Sequence, residues 1–179
     1  MIQIYDDLLT DEEHQSILEE VTYPEFLWRY TSATVPEYVG SDSPQFVRVV
    51  EHMIDKTSKS IYTEGVRWRE MITAKLPYDI DFISRTKVNM LLPTHDKTAP
   101  FHAPHVDITT TDKEIDKYYS LLYYVNNSDG DTHFFPDEGI EKISPAPNRC
   151  VVFPAMLLHA SSSPTTDRRI VINTVFKIK

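Results

Sequence analysis

The segment His105-Val106-Asp107 sets an imidazole and a carboxylate two residues apart in a stretch that reads as a β-strand. Side chains at i and i+2 of a strand leave the same face, with Cα atoms roughly 6 to 7 Å apart, so the two groups can close on one metal ion. A third ligand has to come from elsewhere. His159, in Leu157-Leu158-His159-Ala160, follows the apolar run Cys150 to Phe153, where a neighbouring strand can bring it alongside. Two histidines and one carboxylate on one side of an ion leave three positions open, the donor set of non-haem Fe(II) sites. A bidentate keto acid would take two of them and dioxygen the third. Ten residues beyond His159 stands Arg169, at the head of the run Arg169 to Phe176. A guanidinium beside a metal site is what an anionic co-substrate needs, because it makes a bidentate, permanently charged pair with a carboxylate. Two histidines and an acid, with water, also describe catalytic zinc, so the donor set alone leaves a hydrolase open.

Strands must position these groups, and the second half of the chain supplies them. Beyond residue 85 it breaks into short β-rich runs: Lys87 to Leu92, His105 to Thr109, Tyr118 to Val125, Thr132 to Phe135, Cys150 to Phe153 and Ile170 to Phe176. No helix-length segment separates them, which points to a sandwich or barrel rather than βαβ units. Alternation groups Arg169 with Val171, Asn173 and Val175, and Arg168 with Ile170, Ile172 and Phe176. The second face is greasier and is expected to pack beneath helices. The first, with Asn173, then looks into the site, and Arg168 is a strand-end surface residue. Asn126 to Asp131 reads as a turn in which Gly130 can take positive φ. Two aspartates beside Gly130 invite a calcium-loop reading, but the EF-hand order of ligands and its downstream Glu are missing. Leu92 to Pro104, rich in proline and threonine, reads as a flap over the metal or simply as a long connection.

The N-terminal part, residues 1–84, is expected to be a largely helical support. Thr10-Asp11-Glu12-Glu13 has capping-box form, with Ile17, Leu18 and Val21 at helical spacing, so a helix spans about 11–21 and Pro24 stops it. Phe46 to Val50 is β-branched and extended, and Ile61, Gly65, Trp68, Met71, Ile72 and Leu76 suit a second helix ending at Pro77. At 179 residues the chain fits one domain, 1–179, with a catalytic core over about 85–179. No apolar run approaches the roughly 18 residues of a membrane span, and the first residues lack the basic and apolar regions of a secretory signal, so a soluble, cytoplasmic protein is expected. The net charge of −9 disfavours non-specific nucleic-acid binding, which needs clustered Lys and Arg. The lone Cys150, in an apolar run, excludes an internal disulfide and reads as a buried hydrophobe.

Taken together, His105-Val106-Asp107, Leu121 to Asn126, Gly130 to Phe134, His159 and Arg169 to Val175 resemble, in order and spacing, the Fe(II)- and 2-oxoglutarate-dependent dioxygenases, and among them the compact prolyl 4-hydroxylase-like group that includes phage-encoded members. The resemblance covers roughly residues 85–177. It implies a double-stranded β-helix, a cupin-like jelly roll with N-terminal helices buttressing the larger sheet. It further implies that His105, Asp107 and His159 bind Fe(II), that Arg169 holds the far carboxylate of 2-oxoglutarate, and that Tyr124 hydrogen-bonds the same carboxylate. Some relatives carry another tyrosine on the strand before the His-x-Asp. Here that strand reads Lys87-Val88-Asn89-Met90-Leu91-Leu92, leaving Asn89 or Lys87 as substitutes, with Asn173 as a further pocket residue. In related halogenases a small residue replaces the carboxylate, so Asp107 points to hydroxylation, with O2 as oxidant and succinate and CO2 released.

Two rivals stand beside this reading: the zinc hydrolase, and a non-catalytic jelly-roll module with a silent metal site. The substrate class is expected to be a small molecule or a peptide, with a peptidyl proline or another side chain as candidates. Oligomeric state, a homodimer included, is open. Among the other histidines, His102 is expected near the mouth of the site, His133 in a structural role, His14 and His52 at the surface and His95 in a loop.

Overall fold

The computed structural model describes residues 1–35, 43–54, 57–60, 62–94 and 99–179. In chain order its elements are β1 (Gln3–Tyr5), α1 (Asp11–Thr22), β2 (Arg29–Thr31), β3 (Gln45–Ile54), β4 (Thr57–Ser60), α2 (Thr63–Ala74), β5 (Ile80–Leu91), β6 (Tyr118–Tyr124), β7 (Thr132–Phe134), β8 (Glu141–Ile143), β9 (Arg149–Pro154), β10 (His159–Ser161) and β11 (Arg169–Ile178). The larger antiparallel sheet runs β1-β9-β6-β11-β5-β3-β2, with β4 attached to β3, and a smaller sheet runs β10-β7-β8. Side chains from β6, β9 and β11 meet Phe134 and Ile143 of the smaller sheet in one apolar cluster. This is the two-sheet jelly roll expected from the short β runs.

The near-continuous apolar character of β6, β9 and β11 follows from burial on both faces. Toward the helices, Leu121, Tyr123, Cys150, Val152, Ile170, Ile172 and Phe176 pack with Ile17 and Val21 of α1 and Trp68 and Ile72 of α2. Toward the smaller sheet, Leu122, Tyr124, Val151, Phe153 and Val171 form the second cluster. The helices are also pinned to each other. Glu20 at the end of α1 accepts from Tyr62 Oη at 2.7 Å and Trp68 Nε1 at 2.8 Å. The capping box is present at α1: Glu13 N donates to Thr10 Oγ1, and Thr10 N donates to the Glu13 carboxylate.

Several expectations are corrected. His105 to Thr109 is not a strand: His105 makes an isolated bridge to His159, and Asp107 stands in a bend. The N-terminal helices pack on the larger sheet as expected, and the same part of the chain also adds β3, which pairs with β5 and widens that sheet. Gly130 does not take positive φ; among the described glycines that conformation belongs to Gly139. His14 is not a surface group, since its Nδ1 lies 2.6 Å from the buried Tyr123 hydroxyl. His95 and the centre of the expected flap, 95–98, lie outside the described residues, as does Ile61. The flanks of that segment are tied down, with Thr94 N donating to Pro164 O and His102 N to Ser161 O.

Candidate active site

The site lies between the two sheets, with each contributing a different kind of group. The His105 segment adds itself to β10: His105 N donates to His159 O at 2.9 Å and His159 N to His105 O at 3.0 Å. Two residues on, Asp107 N donates to Ala155 O at 3.0 Å. Backbone anchoring at these points, rather than a continuous strand pleat, converges the three side chains. One donor atom from each of His105, Asp107 and His159 lies within 4.8 Å of the others.

The proton positions suit a metal. His159 Nδ1 is 2.9 Å from Leu157 O, and His105 Nδ1 is 3.3 Å from Ala103 O. A carbonyl only accepts, so each ring carries its proton on Nδ1 and keeps an unprotonated Nε2 for coordination. Burial, with His159 alongside, pushes His105 down to about 4, so the ring is neutral at physiological pH. The Asp107 side chain is almost fully buried, at 1% exposure. Burial by itself would raise its pKa, but His159, Arg85 and Lys87 outweigh that and hold the carboxyl well below the usual range.

The two oxygens of Asp107 are distinguished by their partners. Oδ1 accepts from Arg85 Nη2 at 2.8 Å, while Oδ2 lies 3.5 Å from His159 Nε2. Asn173 Nδ2 reaches both, at 3.3 and 3.2 Å. The carboxylate is thereby held with one oxygen turned toward the histidine. Asn173, expected in the cofactor pocket, lines that cavity but spends its amide on Asp107, and its Oδ1 is buried without a partner. The donor set, its geometry and these fixed orientations fit a divalent ion with open positions.

A narrow cavity runs from the triad along the larger sheet. His105 and His159 line one end, and Lys87, Asn89, Leu91, Arg169, Val171 and Asn173 continue the wall. In register, Arg169 faces Leu91, Val171 faces Asn89 and Asn173 faces Lys87. Arg169 is 5% exposed. Its Nε donates to Gly130 O and its Nη2 to Thr132 Oγ1, both at 2.8 Å. Thr132 Oγ1 is also 2.6 Å from the Tyr124 hydroxyl, and the guanidinium sits 5.4 Å from the Tyr124 ring centre. Among the described residues no carboxylate pairs with Arg169, so a buried cation is left with neutral partners. Arg168 is exposed, its carbonyl accepting from Asn126.

Arg85, Lys87 and Thr132 were not singled out as site groups by the motifs, with Lys87 named merely as a substitute. For Arg85 and Lys87 the signal was alternation on β5: Arg85, Lys87 and Asn89 are polar at every second position, while Val88 and Met90 on the other face pack toward the helices. A strand with one polar interior face borders a polar site. His102 sits between Ser161 and Ser163, its ring nitrogens 3.0 and 2.8 Å from their hydroxyls, and His133 on β7 meets the Phe101 ring at a tilt, the centroids 5.3 Å apart. On the outer side of Asp107 a cleft of about 980 Å³ opens, lined by Arg85, Ile108, Thr109, Thr110, Thr111 and Tyr118 among others.

Comparison with known proteins follows the same lines. Residues 92–177 match the model of the 2OG-Fe(II) oxygenase superfamily. No curated protein matches the chain in sequence. Among solved structures, a prolyl-4-hydroxylase from Pseudomonas putida is similar at 13% identity and TM-score 0.64, over 99% of this chain and 92% of that one. A 2OG-Fe(II) oxygenase family oxidoreductase from Burkholderia pseudomallei gives 14% identity and TM-score 0.70, over 98% and 84%. A Trichoplax adhaerens prolyl hydroxylase, in complex with a hypoxia-inducible-factor oxygen degradation domain peptide fragment, gives 14% and 0.64, over 99% and 83%. At these identities the structures speak for the fold alone. The match over residues 92–177 covers the sequence that carries the triad, and over that stretch the chain is similar to the 2OG-Fe(II) oxygenase superfamily.

Proposed function

We propose that His105, Asp107 and His159 are the protein ligands of Fe(II) in this 2-oxoglutarate-dependent dioxygenase, and that Arg169, seated by Thr132 and Tyr124, receives the far carboxylate of 2-oxoglutarate. The observation that carries the assignment is the pairing of an open-faced His/Asp/His set with a buried guanidinium that no carboxylate of the described chain neutralises. A zinc hydrolase has no use for such a receptor at the end of a narrow cavity, and a silent module gains nothing from burying it. Asn89 completes the wall between the two ends.

Bound in the site, the ferrous ion supplies the activation of O2 that splits 2-oxoglutarate into succinate and CO2 and hydroxylates the substrate. The chain's own residues do the positioning. Arg85 and Asn173 fix the Asp107 carboxylate so that one oxygen faces the ion, and the Ala103 and Leu157 carbonyls fix the histidine tautomers. Arg169 orients the dicarboxylate along the cavity. Apolar walls from Leu91, Leu122 and Val171 restrict water beside it. The substrate is proposed to enter by the cleft beside Asp107, which is roomy and rich in threonine and suits a peptide side chain or a small polar molecule. Likeness to prolyl hydroxylases, one of them solved with a peptide, makes a peptidyl proline the first candidate to try. An assignment to the cytoplasm rests on the sequence reading; among the described residues no helix is long and apolar enough to cross a membrane.

The test is an anaerobic titration with Fe(II) and then 2-oxoglutarate, watched for the visible metal-to-ligand charge-transfer band, followed by admission of oxygen and assay of succinate. The band and slow succinate release are expected in the wild type and lost in Asp107→Ala. Metal uptake with no band and no succinate would leave the binding-module reading in its place.

A further inference from the structure

Lys87 projects from β5 into the same cavity as Arg169 but at its other end. The register sets Lys87 opposite Asn173, whose amide holds Asp107, and sets Arg169 opposite Leu91. Four residues of strand, roughly 13 Å of backbone, separate these two levels. Lys87 acts electrostatically on both Asp107 and His105. Among the described residues it has neither a hydrogen-bond acceptor nor an ion-pair partner, although Arg85 close by is paired to Asp107. Burial, with Arg85 adding to it, pushes the Lys87 amine down to about 8, still cationic at neutral pH.

The charges around the triad do not balance. One carboxylate, Asp107, faces the cations of Arg85 and Lys87, and a divalent ion adds to the excess. A half-buried ammonium on a cavity wall, with no acceptor or ion-pair partner among the described residues, is poorly compensated until an anion arrives beside it. We propose that Lys87 is a second anion receptor of this pocket, donating to the 2-oxo-acid carboxylate that chelates the metal, so that the co-substrate is gripped by a cation at each end. This rests on the 2-oxoglutarate reading above. Its consequence is a division of labour: Lys87 reads the end common to every 2-oxo acid, and Arg169 reads the end that makes 2-oxoglutarate distinctive.

The experiment is an anaerobic binding titration of Mn(II)-loaded protein, followed by tryptophan fluorescence and calorimetry. The ligands are 2-oxoglutarate and 2-oxobutyrate, which keeps the chelating end and lacks the far carboxylate. Lys87→Met is expected to weaken both ligands by the same factor, about tenfold or more, as the loss of one charge-assisted hydrogen bond would do. Lys87→Arg is expected to retain most of the affinity. Arg169→Met is expected to weaken 2-oxoglutarate and leave 2-oxobutyrate within about twofold. Thermal unfolding of metal-free Lys87→Met is expected at or above the wild-type midpoint, since the change removes a half-buried cation that has no ion-pair partner among the described residues. Unchanged affinity in Lys87→Met overturns the inference, as does weakening of 2-oxoglutarate alone, or a wild type that binds 2-oxoglutarate and not 2-oxobutyrate. A wild type that takes up Mn(II) but neither acid overturns the function as well, which separates the two failures.

Discussion

At the scale of single residues, Gly130 shows how the site was built around one guanidinium. A Cβ added there would stand 2.8 Å from Ser162 O, 3.0 Å from Pro164 N and 3.1 Å from Arg169 Cδ. The glycine is needed for close approach, because its carbonyl must come within hydrogen-bond reach of Arg169. Gly130→Ala is therefore expected to displace Arg169, raising the dissociation constant for 2-oxoglutarate by about tenfold while Mn(II) affinity stays near wild type. Paired titrations of metal and co-substrate check it. Asn173→Ala should do the reverse. It removes a neutral donor to both Asp107 oxygens, and loss of such an orienting partner costs about 10- to 100-fold in metal affinity. Equal Mn(II) affinity in wild type and variant would show that Arg85 alone orients the carboxylate. His105, Asp107, His159 and Arg169 were legible because each lies in a short motif with a chemical reason for its spacing. Thr132 was not, because a threonine in a strand acquires meaning only from what lies across the fold, and Arg85 left no more than the polar alternation of β5.

At the scale of elements, the long strands and both helices could be read from periodicity and caps, whereas most of the short strands could not. β6, β9 and β11 announce themselves as apolar runs, α1 begins at a capping box, and β7 falls within the run read over Thr132 to Phe135. β1, β2, β8 and β10 have three residues each, too few for alternation to register, and they exist through pairing with distant partners. The same limit explains why His105 to Thr109 looked like a strand: one bridge at His105 suffices to set its side chain beside His159, and the chain then bends. The α2–β3 contact tests how tightly the helical layer sits on the sheet. A Cβ at Gly65 would meet Val50 Cγ2 at 2.6 Å and Cγ1 at 2.8 Å. Val50 is fully buried and β-branched, so it has little freedom to turn aside. Gly65→Ala gains about 1 kcal/mol in helix propensity, but overpacking of this kind costs about 1–3 kcal/mol. The expected result is a midpoint lowered by a few degrees in thermal unfolding, with triad geometry preserved and Mn(II) affinity unchanged. A midpoint above wild type would mean that α2 rides loosely on the sheet.

At the scale of the whole molecule, a chain of net charge −9 holds two cationic side chains, Lys87 and Arg169, on the wall of one narrow cavity, and a third, Arg85, against Asp107 from the neighbouring cleft. That contrast has an energetic consequence. With little but Asp107 to balance them, the cations cost folding free energy in the empty protein, and a metal alone adds to the like charge around Arg85, Lys87 and Arg169. The metal is attracted by Asp107 and the imidazoles, and the dianion by everything else, so the two ligands should bind cooperatively. A ligand that binds only the native state, at a hundred times its dissociation constant, stabilises by about 2.7 kcal/mol. For a chain of this length that corresponds to a rise of about 5 to 11 °C in the midpoint. Mn(II) is expected to raise the midpoint, 2-oxoglutarate to raise it further, and a chelator to reverse both shifts. The same 2-oxoglutarate concentration should give a clearly smaller shift without metal, because the chelating end then finds Lys87 but no ion. Equal shifts with and without Mn(II) would place the dicarboxylate on the cationic side chains alone and would break the link between the triad and the co-substrate cavity.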